Sequence, residues 1–310
     1  MSSVRINLLG TVHVTHEGLP ASNKMGRAVK ALLGYLTLFR QRFHAREVLA
    51  GLFWGESSDK RARNSLRTAI WRLRKVLEPG TIPKGTYIVT TSSGEVSFNR
   101  ESKYWLDVAD FEYNSKQILA KHYKKLTAED VCILEKTLTL YKGDLLEGFY
   151  DEWALRERER LRSLYLKSLD HLLRYFSHHD AYEAGLACGR NILEFDPLRE
   201  EIHREMMRLY YHSGQRAMAL QQYENCRKIL QEDLGVSPME ETRNLYSQFC
   251  QKSRLERVHS PAQATPGNAQ QLLTQIQQTL HDFEKSAEQL RRTAKHLGRI
   301  IQAEDSVDSL

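Results

Sequence analysis

The chain has 310 residues, of which 41% are hydrophobic and 27% are charged. This composition is typical of globular proteins and excludes wholesale disorder, and the length is that of about two domains of ~150 residues with an additional segment. Lys and Arg outnumber Asp and Glu by 45 to 39, so a polyanionic partner is indicated only if the cations are concentrated in one region.

The cysteines and the hydropathy pattern predict a cytoplasmic protein. Four cysteines lie far apart without a C-x-x-C pair, which argues against a disulfide framework and a zinc knuckle. Nothing approaches the ~20 consecutive apolar residues that span a bilayer. We therefore expect no membrane partner.

Residues 1–100 show the pattern of a winged helix-turn-helix domain. Short β-prone runs at 4–9 and 12–14 come first. Helical periodicity follows and predicts three helices, at 26–39, 45–54 and 59–77. Ser92, Ser93 and Gly94 separate two further β-prone runs, which predicts a hairpin after the third helix.

The rest of the chain is predicted to be helical, so the fold class is mainly α with small β. Residues 101–254 are broken at His178–Asp180 and Gly214, near the ~34-residue tetratricopeptide period, and predict stacked helical hairpins. Prolines and small polar residues mark a linker at 255–267. A heptad helix at 268–304 follows, with its coiled-coil seam at spacings of three and four: Leu273, Ile276, Leu280, Phe283, Ala287, Leu290, Ala294, Leu297 and Ile301.

The basic residues cluster in the winged-helix region. Thirteen Lys and Arg residues face three acidic residues between Lys24 and Lys75. Such a region suits nucleic acid, because each phosphate that a cation neutralises releases counterions. The cations predicted to contact the DNA backbone are Lys24, Arg27, Lys30, Arg61, Arg63, Arg67, Arg74 and Lys75.

The third predicted helix has two different faces. Leu66, Ile70, Leu73 and Leu77 form an apolar stripe. The opposite face holds residues that can read bases, since Arg bonds guanine, Asn bonds adenine and the Thr methyl meets thymine: Asn64, Thr68, Trp71 and Arg72. A merely solvated charged face is the alternative, which the shortage of acidic partners disfavours, and Trp71 could instead be a core or interface aromatic.

These segments resemble a known family of bacterial regulators. The carrying motifs are KALLGYL at 30–36, REVL at 46–49, LFW at 52–54 and NSLRTAIWRLRKVL at 64–77. Further motifs are YWLDVADFE at 104–112, YKGDLL at 141–146, DPLRE at 196–200 and LQEDLGVSP at 230–238. The first set is similar to the OmpR-type DNA-binding domain of the Streptomyces antibiotic regulatory protein (SARP) family. The second is similar to its bacterial transcriptional activator domain.

The resemblance implies a transcriptional activator that binds repeats near the promoter −35 region and recruits RNA polymerase holoenzyme through sigma region 4. It implies base contacts by Thr68 and Arg72, a phosphate contact by Arg74 and DNA contact by the wing, formed by Thr91, Ser92 and Ser93. The wing tip departs from relatives that carry an arginine there. The sequence also lacks the P-loop motif that nucleotide-binding relatives carry.

The sequence contains none of the common catalytic motifs, so we predict a DNA-binding protein that is not an enzyme and uses no cofactor or metal. The histidines, including His203, are expected at surfaces or turns. One alternative is a helical-repeat scaffold attached to DNA without sequence choice, and another is a repressor with the same DNA contacts. The heptad helix is expected to form a homo-oligomer, although it could dock on its own chain. We expect a nucleoid-associated protein.

Overall fold

Four short strands form a sheet at the start of the chain. The computed structural model describes residues 4–21, 23, 25–80, 82–259 and 278. Strands β1 (Val4–Asn7), β2 (His13–His16) and β3 (Leu19–Pro20) are antiparallel. Strand β6 (Tyr104–Leu106) returns to pair with β1 in parallel. The predicted boundary between residues 100 and 101 therefore falls before a strand that completes the N-terminal sheet.

Three helices and a hairpin follow β3, as the sequence predicts. Helices α1 (Arg27–Leu38), α2 (Arg46–Trp54) and α3 (Asp59–Leu77) precede strands β4 (Ile88–Thr90) and β5 (Val96–Phe98). His44, between α1 and α2, exchanges two backbone hydrogen bonds of 2.9 Å with Val96. This bridge ties the turn before α2 to the hairpin and completes the winged-helix arrangement.

The remainder of the described chain is helical, which confirms the predicted fold class. Helix α4 (Asp107–Leu119) and a 3₁₀ helix (Tyr123–Lys125) come first. The longer elements that follow are α5 (Ala128–Leu138), α6 (Glu152–His178), α7 (Tyr182–Phe195), α8 (Glu200–His212), α9 (Arg216–Leu234) and α10 (Glu240–His259). Helices α6 and α7, and α8 and α9, pack as consecutive hairpins. Ideal Cβ atoms on Gly185 and Gly189 would lie within 3 Å of α8 side chains, so these glycines allow α7 and α8 to approach closely.

The winged helix and the following helices form one compact unit, residues 1–246. The segment 144–147 pairs with residues 8–10: the Leu146 N–H donates to Leu8 O at 2.9 Å and the Gly10 N–H to Asp144 O at 3.0 Å. Arg158 donates to the carbonyls of Leu145, Leu146 and Phe149 at 2.8–3.0 Å. The two regions are therefore joined by backbone pairing.

An aromatic cluster reinforces this junction. The ring of Trp153, at the start of α6, lies edge-on to Tyr35 of α1, with centroids 5.2 Å apart, and to Phe53 of α2 at 6.1 Å. Edge-to-face pairs of this kind stabilise packing beyond the area that they bury. Helix α6 thereby contacts α1 and α2, the two helices that pack against α3.

We predict that Gly34→Ala destabilises the protein by about 1–2 kcal/mol. A Cβ at this position of α1 would lie 2.9–3.0 Å from the methyl carbons of Leu146, which is fully buried, and overpacking a buried site carries such a cost. Gly51→Ala is the matched control, because its Cβ would meet nothing within 4 Å and Ala stabilises an exposed helix by about 0.5–1 kcal/mol. Thermal unfolding of both variants checks this, and equal stability would contradict the close contact.

His203 is not at a surface or turn, which corrects the sequence-based expectation. Its side chain is 2% exposed. Nε2 lies 3.0 Å from Pro197 O, and Nδ1 lies 2.8 Å from Gln222 Nε2. Burial lowers its pKa from 6.5, because a buried imidazolium loses its hydration. The interior therefore holds the neutral ring.

We predict that His203 contributes a loss in the free energy of unfolding as the pH falls below about 6.5. The unfolded chain takes up a proton at His203 there, whereas the folded chain resists it, so stability is lost toward acid at up to about 1.4 kcal/mol per pH unit. Urea unfolding from pH 7.5 to 5.5 measures the slope. His44 and His171, whose pKa values burial also lowers, and Asp107 contribute to the same profile. His203→Gln should therefore reduce the loss of stability toward acid, and His212→Gln, at an exposed position, should not; equal slopes in both variants would count against this.

The predicted start of the linker, at residue 255, lies within a helix. Helix α10 continues to His259, so residues 255–259 are helical. The rest of the linker and the seam from Leu273 to Ile301 lie outside the described residues. Within the part of the chain that the structure describes, no helix is long and apolar enough to cross a membrane.

Candidate nucleic-acid interface

Helix α3 is anchored by its apolar face, as its periodicity predicts. Leu66, Ile70, Leu73 and Leu77 are at most 3% exposed. Asp59 lies in the first turn and Arg74 and Lys75 in the last, an arrangement that the helix dipole favours. The apolar contacts fix the rotation of α3 about its axis and leave the opposite face in solvent.

The four predicted base-reading residues lie on that exposed face. Asn64, Thr68 and Arg72 line one shallow cleft that also contacts Trp54. The Thr68 hydroxyl donates to Asn64 O at 3.0 Å, so its methyl group remains available for an apolar contact. Trp71 is 59% exposed, which excludes the alternative that it is a core aromatic.

The predicted backbone cations divide into two groups. Arg61, Arg63, Arg67 and Lys75 are exposed on α3. Arg63 approaches Asp59 at only 4.0 Å with both side chains largely exposed, a weak interaction, and Lys75 Nζ lies 5.2 Å from the centroid of the Trp71 ring.

The other cations have different surroundings. The Arg27 guanidinium lies over the Phe149 ring at 5.0 Å, and Lys30 is half-buried. Lys24 lies outside the described residues. Arg27 therefore packs on the helical region, while its predicted phosphate contact stays a prediction.

Arg74 contacts the hairpin rather than projecting freely. Its Nη2 donates to Ile88 O at 2.9 Å and to Thr90 Oγ1 at 2.8 Å. These bonds fasten β4 to the C-terminal turn of α3. Arg74 therefore positions the wing, and its phosphate contact stays a prediction.

Two residues that were not predicted to contact DNA position the same hairpin. Glu78 accepts the backbone N–H groups of Gly85, Tyr87 and Ile88 at 2.9–3.1 Å. Arg46 donates from Nε to Gly94 O at 2.7 Å. No local pattern identifies these contacts, since each joins residues of different elements.

The wing tip is a tight, hydroxyl-rich turn. Thr91 Oγ1 and Ser93 Oγ are 2.7 Å apart, and the Ser93 hydroxyl donates to Glu95 at 3.1 Å. Gly94 adopts φ +90°, a conformation that favours glycine. The exposed Ser92 hydroxyl suits a hydrogen bond to a phosphate oxygen, whereas the Ser93 proton is already donated to Glu95.

The α3 face and the wing together offer chemistry for binding DNA. Arg, Asn and Thr at the centre can contact base edges, and the surrounding cations can contact phosphates. Among the residues that the structure describes, no three His, Cys, Asp or Glu side chains are grouped so as to hold a metal ion.

Comparisons with known proteins agree with this architecture. Residues 106–249 match the family model of the bacterial transcriptional activator domain. The chain is 27% identical over 285 residues to the regulatory protein AfsR of Streptomyces coelicolor, covering 91% of this chain and 28% of AfsR. It is 26% identical over 255 residues to the transcriptional regulatory protein MoaR1 of Mycobacterium tuberculosis, covering 79% of this chain and 78% of MoaR1. The chain thus spans about a quarter of the length of AfsR.

A solved structure shares the fold. Mycobacterium tuberculosis EmbR, determined in complex with a low-affinity phosphopeptide, superposes with a TM-score of 0.58 and 21% sequence identity, covering 81% of this chain and 66% of EmbR. AfsR and MoaR1 are both named as regulatory proteins.

Proposed function

We propose that the chain is a transcriptional regulator of the SARP type, because residues 106–249 match the bacterial transcriptional activator domain and its relatives AfsR and MoaR1 are regulatory proteins. It binds promoter DNA sequence-specifically, with α3 in the major groove and the wing on the adjacent backbone. The observation that supports this is the exposed row of Asn64, Thr68 and Arg72 on α3, flanked by exposed arginines. Base-reading side chains within a ring of phosphate-binding cations are what direct readout requires.

The proposal extends to activation. By family resemblance, the bound protein recruits RNA polymerase holoenzyme through sigma region 4, acting at the nucleoid. The heptad seam pairs between two chains, so that two winged helices occupy two repeats. The backbone pairing of residues 144–147 with residues 8–10 supports a rigid DNA-bound platform for the polymerase.

Selection of genomic DNA fragments on the purified chain at about 150 mM salt tests sequence-specific binding, because non-specific affinity is weak there. We expect a repeated motif with a spacing near one helical turn. Featureless fragments and a steep salt dependence would favour the alternative, a helical-repeat scaffold that attaches to DNA without sequence choice.

The position of the recovered motif separates activation from repression. A site just upstream of the −35 region, with transcription raised in a purified polymerase assay, supports the activator. A site overlapping the polymerase footprint, with transcription lowered, would identify a repressor that uses the same DNA contacts.

Sedimentation of the chain truncated after Arg254 tests the oligomer. If the number of chains per particle is the same with and without the C-terminal segment, pairing through the seam is contradicted.

A further inference from the structure

A second charged surface lies in the helical region, and the residues that form it all follow α3 and the wing in the chain. A cleft of about 510 Å³ is walled by the 3₁₀ helix Tyr123–Lys125, α6 and α8. Its lining includes Leu173 and Ile202, which are at most 1% exposed, and the half-buried ring of Tyr123. A cleft of this size between three elements can accept side chains from a partner, and the Tyr123 ring is its accessible apolar surface.

The charged lining has one more cation than carboxylates. Lys124, Arg174, Arg204 and Arg208 line the cleft together with Asp170, Glu201 and Glu205. Glu201 is paired at 2.9 Å with Arg199, which lies outside the lining. Arg204 is paired in the same way with Glu200, at 3.6 Å and also outside the lining. Three cations therefore face two remaining carboxylates.

These two carboxylates are less accessible than the arginines that they contact. Arg174 is paired with Asp170 at 2.9 Å, with side chains 55% and 23% exposed. Arg208 is paired with Glu205 at 2.9 Å, with side chains 46% and 25% exposed. Glu205 also accepts a hydrogen bond of 2.5 Å from Ser177, so its oxygens are engaged within the protein.

The arginines retain donors for a ligand. A guanidinium group has five N–H donors, and Arg174 donates to Asp170 through Nε, which leaves its two terminal nitrogens. Arg208 contacts Glu205 through Nη1. A ligand carboxylate can thus bind the outer edge of each guanidinium without breaking the internal pair, and Lys124 supplies a further cation on the opposite wall.

We propose that this cleft binds a short acidic segment of a partner protein. The carboxylates of the segment contact Lys124, Arg174 and Arg208, and its aliphatic groups lie on the half-buried ring of Tyr123. The cations of the cleft are separate from those of the DNA-binding face, so the chain can bind DNA and an acidic partner together. This inference does not depend on the proposed promoter recognition.

Fluorescence anisotropy of the full chain at about 50 mM salt tests the proposal. The probe is a fluorescein-labelled peptide of eight residues that alternates Glu and Ala. We expect saturable binding that weakens at least tenfold in the Lys124→Glu/Arg208→Glu variant and is unchanged in Lys167→Glu, an exposed lysine of α6 outside the lining. The milder Lys124→Gln/Arg208→Gln variant serves if the first variant fails to fold by circular dichroism.

Two controls make the outcome decisive. The matched peptide of Gln and Ala should not bind, and DNA affinity should be the same in the cleft variants as in the unaltered chain. Absence of binding by the acidic peptide overturns the proposal. So does binding that survives in the cleft variants but is lost in Arg67→Gln/Arg72→Gln, because the peptide then only mimics phosphates on the α3 face.

Discussion

Replacing Asp107 with Ala is expected to destabilise the protein by about 3–6 kcal/mol, more than any surface substitution. The Asp107 carboxylate is fully buried and accepts the backbone N–H groups of Leu8, Leu9 and Val108 at 2.7–3.0 Å. An unsatisfied buried donor costs about 1–3 kcal/mol, and Ala leaves three. Because Leu8 and Leu9 follow β1 and Asp107 begins α4, the variant loosens the junction between the N-terminal sheet and the helices.

Urea unfolding at pH 7.5 measures this effect, and two further variants define its origin. Asp107→Asn keeps one acceptor oxygen and should lose roughly half as much stability. Asp110→Asn alters the exposed neighbouring carboxylate, which accepts from Trp105 Nε1, and should change stability by less than about 1 kcal/mol. A comparable loss at both positions would show that the buried hydrogen bonds are not the cause.

The free energy of unfolding also depends on pH through the titration of Asp107. Burial raises the pKa of Asp107 to about 6, although the N–H groups of Leu9, Leu8 and Val108 act to lower it. Between about pH 4 and pH 6 the folded chain therefore binds a proton that the unfolded chain has released, and this group stabilises the fold as the pH falls. His203 acts in the opposite direction, so the stability profile combines both groups.

The helices of the winged-helix domain could be predicted because their signals are local. The apolar stripe of α3 repeats every three or four residues, and its burial alone decides which face is exposed. The hairpin was predictable for a similar reason, since a Gly turn separates two β-prone runs. The surface that presents Asn64, Thr68 and Arg72 follows directly from these two patterns.

The contacts that hold the regions together could not be predicted, because they join residues distant in the sequence. Asp107 and Leu8 are 99 positions apart, and Gly34 meets Leu146 without any shared periodicity. Arg74 lies beside the apolar stripe, so its bond to Ile88 depends on where the hairpin folds back.

The burial of His203 could have been predicted from the sequence. It shares the apolar face of α8 with Ile202, Met206, Met207 and Tyr210, and these residues follow the three- and four-residue spacing of a buried helix face. A polar residue within such a face should be expected inside the protein with hydrogen-bond partners.

Arg72→Ala is expected to weaken binding to the preferred DNA site by about 5- to 150-fold, or about 1–3 kcal/mol, while binding to random DNA changes little. Arg72 is exposed beside Asn64 and Thr68. In the variant, water replaces the two hydrogen bonds from the guanidinium group to guanine, and the complex with the preferred site is less stable as a result. Electrophoretic mobility shifts with the selected site and a scrambled duplex measure the two affinities.

Arg67→Ala provides the matched control, because Arg67 lies on the same helix, is equally exposed and is assigned to the DNA backbone. It should weaken both duplexes alike and reduce the slope of log affinity against log salt by about one, since one phosphate contact is lost. Arg74→Ala should differ from both, because loss of its bonds to Ile88 and Thr90 also releases the wing. An equal loss on both duplexes for Arg72→Ala would contradict base reading at this position and leave α3 a phosphate-binding helix only.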